Sequence, residues 1–75
     1  MKHSIVTIYV SLLDEGISLW RPVQAEHFHD KVYRIAPQPY DRATESWQFE
    51  PGDTVLCENV ESADGPIVAA TRRAT

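Results

Sequence analysis

Over residues 4–13 apolar and polar positions alternate. Val6, Ile8, Val10 and Leu12 form one row; Thr7, Tyr9 and Ser11 break up the other, with Ile5 and Leu13 at its ends. A period of two belongs to a strand, because successive side chains leave opposite faces. The β-branched residues Ile5, Val6, Thr7, Ile8 and Val10 favour the same assignment. The row from Val6 to Leu12 is expected to face a core. Asp14-Glu15-Gly16 reads as a hairpin turn, with Gly16 supplying positive φ.

Residues 17–28 form a second, less regular extended segment. Trp20 and Val23 are three apart and would point to opposite faces of an unbroken strand. Pro22 lies between them and cannot donate to a ladder. A bulge or sharp bend at Arg21-Pro22 is therefore expected, which would bring both side chains to the core together with Ala25. Gln24 and Glu26 then face water. Residues 27–31 read as a polar turn, and residues 32–36 as a third strand with Tyr33 and Ile35 on one face.

Residues 37–46 are the longest loop. Two prolines stop the ladder there, Tyr40 is suited to anchor packing, and Asp41 can cap a single helical turn. Residues 47–50 and 54–60 read as two strands around Pro51-Gly52, in which Pro sets φ at the first central position of a turn and Gly accepts positive φ at the next. Trp47, Phe49, Val55 and Cys57 would face inward. After a turn over residues 61–65, residues 66–71 form a last strand with Val68 and Ala70 inward, and residues 72–75 read as a frayed tail.

Short strands with a turn signal every 8–12 residues, and no long helical period, indicate an all-β fold. The expected architecture is a small SH3-like barrel of five to six short antiparallel strands, closed so that few edges are exposed. The competing architecture is an open five-stranded antiparallel sheet completed by dimerisation.

Composition limits the function classes. Seventy-five residues make a single domain. With 43% hydrophobic and 24% charged residues the chain is a folding sequence, not a disordered one. Eleven acids against seven bases leave a net charge of −4, which disfavours nucleic acid as a partner, because phosphate binding draws on Lys and Arg. A single cysteine excludes an internal disulfide, and no apolar run approaches the roughly 20 residues of a membrane span. The expected setting is the cytoplasm, without membrane attachment.

The Phe49-Glu-Pro-Gly-Asp-Thr-Val55 turn resembles the pattern of many small SH3-like barrels. More narrowly, Leu12-Leu-Asp-Glu-Gly16, Trp20-Arg-Pro-Val-Gln-Ala25, Trp47-Gln-Phe with Pro51-Gly-Asp, and Cys57-Glu58 resemble a group of short bacterial proteins of uncharacterised function. That resemblance implies a small barrel and brings no activity or catalytic residue. The chain departs from signalling SH3 domains, which carry an ALYDY-type segment and adjacent tryptophans, so proline-rich peptide binding is not carried over.

Candidate chemistry is sparse. His27 and His29 have a metal-ligand spacing, with His3, Glu26 or Asp30 as further donors, but an exposed turn explains the pair more simply. Cys57 lies on an inward row, where a lone cysteine behaves as a small hydrophobe. Asp14-Glu15 and Glu50 with Asp53 belong to solvated turns. Arg21 and Arg34, on neighbouring strands, could form a small cationic patch beside Tyr9 or Tyr33, as in small RNA-binding barrels. Catalytic residues and cofactors are not indicated. The favoured expectation is a non-enzymatic protein-interaction or regulatory module, with a protein partner or self-association through outward apolar groups (Ile5, Tyr9, Leu13, Ile17, Leu19, Val32, Leu56). The alternative is a small RNA-binding barrel.

Overall fold

A computed structural model describes residues 4–13 and 19–74. The expected turn at Asp14-Glu15-Gly16, together with Ile17, His3 and Thr75, lies outside the described residues. Five strands form: β1 (Ser4–Ser11), β2 (Trp20–His29), β3 (Val32–Ile35), β4 (Thr54–Ser62) and β5 (Gly65–Arg73). They follow one another round a closed barrel in chain order. Each sequential neighbour pair is antiparallel, whereas the closing pair, β1 with β5, is parallel and meets at Tyr9 and Ala69. Parity requires this: five strands that alternate in direction bring the first and last together pointing the same way.

The alternation read in β1 is the alternation observed. Ile8 and Val10 are buried, with Val6 and Leu12 packed against them. Val23 and Ala25 of β2, Ile35 of β3, Val55 and Cys57 of β4 and Ala70 of β5 complete the walls, and Trp47 and Phe49 close the core from the β3–β4 connection. No buried polar or charged residue occurs among the described residues. The stabilisation is therefore hydrophobic, at roughly 1.5–3 kcal/mol for each large aliphatic or aromatic side chain taken out of water.

Four expectations are corrected. First, β1 and β2 pair without interruption from Ser4↔His27 to Ser11↔Trp20, so no bulge forms at Arg21-Pro22. Pro22 sits opposite Tyr9, and β3 pairs only with Ala25 and beyond, so its missing N–H lies on a stretch of β2 without a second strand. Trp20 keeps the parity of Pro22 and Gln24 and stays outside the core. Second, β2 runs on to His29, and the turn shrinks to Asp30 and Lys31, with Asp30 at φ 46°. The bulge of β2 lies here, between His27 and His29.

Third, residues 47–50 are not a strand. One bridge, Leu12↔Trp47, is framed by Leu13 N–H donating to Ser46 O (2.7 Å) and Gln48 N–H donating to Ser11 O (2.9 Å). The Pro51-Gly52 turn does form: Gly52 has φ 96° and Asp53 N–H donates to Glu50 O at 3.0 Å. A turn with Pro then positive-φ Gly splays the arms it joins instead of zipping them. Gly52 N–H bonds Ile35 O and Ile35 N–H bonds Asp53 O, so the later arm joins β3 while the earlier one crosses to the end of β1. Fourth, Arg72 and Arg73 belong to β5, opposite Leu56 and Val55, and Ala74 N–H donates to Thr54 O. Arg73 also pairs with Asp53 at 3.0 Å, which holds the chain end in place.

The expected turn at Asp41 is present. Asp41 O accepts from Thr44 and Glu45 N–H, and its carboxylate accepts from Ala43 N–H. Tyr40 acts as an anchor: its ring stacks on Trp47 at 4.3 Å, and its hydroxyl accepts from Trp47 N–H at 2.9 Å.

Candidate partner-binding cleft

The sequence-derived patch is dispersed by the barrel. Arg21 and Arg34 stand on adjacent strands, but Arg34 pairs with Glu26, five residues along β2 from Arg21. At about 3.3 Å per residue that is roughly 16 Å. Their rows differ as well, because Arg21 has the parity of buried Val23 and Arg34 that of outward Glu26. Arg21 is held by Glu45 at 3.5 Å. Arg34 is held by Glu26 at 3.0 Å and lies over the Phe28 ring. Lys31, Arg42 and Arg73 are likewise paired, with Glu58, Glu50 and Asp53.

Tyr33 packs at one mouth of the core and stacks on His27 at 4.4 Å. Partial burial, and then the Cys57 thiol, raise its phenol above the usual 10.0. His27 Nε2 meets Asp30 O at 2.8 Å, and exposed His29 faces the Asp30 carboxylate at 3.6 Å. Among the described residues no group of three His, Cys, Asp or Glu side chains could hold a metal ion. Cys57 is buried, and burial pushes its thiol up to about 11, so at neutral pH it is a protonated core side chain. No helix of the described residues is long and apolar enough to cross a membrane.

Tyr9 leads elsewhere. It projects from the outer row of β1, opposite Pro22, and lines a cleft of about 400 Å³ with Leu19 and Trp20 from the β2 side and Glu61, Ser62, Ala63, Asp64 and Ile67 from the β4–β5 hairpin. The second wall is the tip of the β4–β5 hairpin. Ser62 Oγ donates to Gly65 O at 2.7 Å and accepts from Asp64 N–H at 3.2 Å, while Gly65 turns the chain at φ 110°. The tip is thus shaped by its own sequence and presents Glu61 and Asp64 at the rim. Neither carboxylate has an ion-pair partner among the described residues, unlike Glu26, Glu45, Glu50, Asp53 and Glu58.

Trp20 and the two acids were missed by the sequence reading, yet a signal for Trp20 existed. Strict alternation outward from Val23 and Ala25 places it outside, and only the supposed bulge moved it in. No such signal existed for Glu61 and Asp64, whose meeting with Tyr9 depends on barrel closure. Comparison of the chain with protein-family models, with curated proteins and with solved structures finds no significant match.

Proposed function

We propose that this chain is a non-enzymatic protein-interaction module that works through the cleft between β1–β2 and the β4–β5 tip. The observation that carries the reading is an indole and a phenol left on the outer face, in a concavity the core does not use. Aromatic groups in such places are the usual anchors of protein contacts. Leu19, 37% exposed, adds apolar surface to the same cleft. RNA binding is supported less, because five of the six described basic side chains are engaged by carboxylates of the same chain. A reduced thiol kept in the core suits a reducing compartment such as the cytoplasm.

Site-specific photo-crosslinking tests the reading. A photoreactive residue replacing Leu19 is expected to give a discrete adduct in its host cell, whereas one replacing exposed Gln48 gives none. Equal adducts at both positions, or none at Leu19, would count against it.

A further inference from the structure

We infer that the cleft receives a cationic side chain, a lysine or arginine carried on an apolar segment of a partner protein. This deepens the interaction-module reading and rests on it. Three observations converge. The cleft, about 400 Å³, has the volume of one long side chain with its flanking groups. Tyr9 and Trp20 both line it, and aromatic side chains pack against the methylene stem of a basic residue and attract its charge. Glu61 and Asp64 stand at the rim where the charged head would emerge.

Charge decides the occupant. The chain neutralises Arg21, Lys31, Arg34, Arg42 and Arg73 with its own carboxylates; of the described acids without a Lys or Arg partner (Asp30, Asp41, Glu61 and Asp64), the last two are the ones that line this cleft. Arg72, the remaining described base, lines a different cleft with Lys31 and Leu56. A second copy would approach with the same net charge of −4. A basic segment of another protein satisfies both the apolar floor and the acidic rim, and like-charged partners are repelled.

The test is a titration of the full ¹⁵N,¹³C-labelled chain, followed by NMR, with a capped Ala-Leu-Lys-Leu-Ala peptide and with the same peptide carrying acetyl-lysine. The lysine peptide is expected to shift the Trp20 indole N–H and the Ile67 methyls, and to bind about fivefold more tightly than its neutral counterpart, the order expected for exposed charge pairs. E61Q/D64N should abolish that difference. Both side chains are at the surface, so the spectrum of the variant reports directly that the fold is intact. Equal binding of the two peptides would overturn the cation assignment and leave an apolar interaction site. No shift from either peptide at millimolar concentration would overturn both the assignment and the use of this cleft.

Discussion

The side-chain amide of Gln38 accepts from Gln24 N–H at 3.1 Å and donates to Gln24 O at 2.9 Å, and it also donates to Ala36 O at 2.8 Å. One glutamine thereby completes the ladder of β2 just beyond the end of β3, where Ala36 N–H supplies a further bond to Gln24 O. The flanking Pro37 and Pro39 cannot donate, so the backbone there could not have done the same. Gln38→Ala is expected to lower unfolding free energy by about 1 kcal/mol, because it takes the protein partner from Gln24 N–H and from the half-buried Ala36 O, while Gln24 O keeps its bond from Ala36 N–H. Urea denaturation followed by circular dichroism reads it, and an unchanged midpoint would show that water replaces the amide without loss.

At the scale of elements, the two tryptophans were expected in one core and were placed in two environments. Trp47 is 5% exposed, stacked on Tyr40, with its indole N–H donating to Glu45 at 2.9 Å. Trp20 lies on the outer face, where β1 and β2 pair in unbroken register. Acrylamide should therefore quench Trp20 strongly and Trp47 weakly, which Trp20→Phe and Trp47→Phe variants separate; similar quenching of both would contradict the β2 register. The Pro51-Gly52 turn shows how a correct local reading can give a wrong element. Its type was legible from two residues, but which strands its arms join depended on Ile35, seventeen residues before Gly52.

For the molecule as a whole, exposed ion pairs contribute little, so stability rests on the apolar interior. Among the described residues that interior contains one titratable side chain, Cys57, whose thiol is raised from 9.0 to about 11 by burial. In the unfolded chain the thiol ionises near 9.0, while in the barrel it stays protonated. The contribution is thus complete below pH 9 and is lost as pH rises toward 11. Tyr33, raised in the same direction, adds to the slope. Melting temperatures measured from pH 7 to 11 should fall above pH 9, and Cys57→Ala should flatten that fall at the expense of a lower neutral-pH value. A profile unchanged by the substitution would rule out the thiol as its source.

The sequence alone determined the inward rows of β1, β3 and β4, the Pro51-Gly52 turn, the Asp41 cap and the all-β class. Each follows from side-chain alternation or from the backbone preferences of one or two residues. Only tertiary structure decided that Trp20 stays outside, that residues 47–50 bridge to β1, and that the chain end joins β5. It also decided that Tyr9 faces Glu61 and Asp64 instead of an arginine patch. These outcomes depend on pairing between segments far apart in the chain, and no local period or propensity encodes which edge a strand will meet.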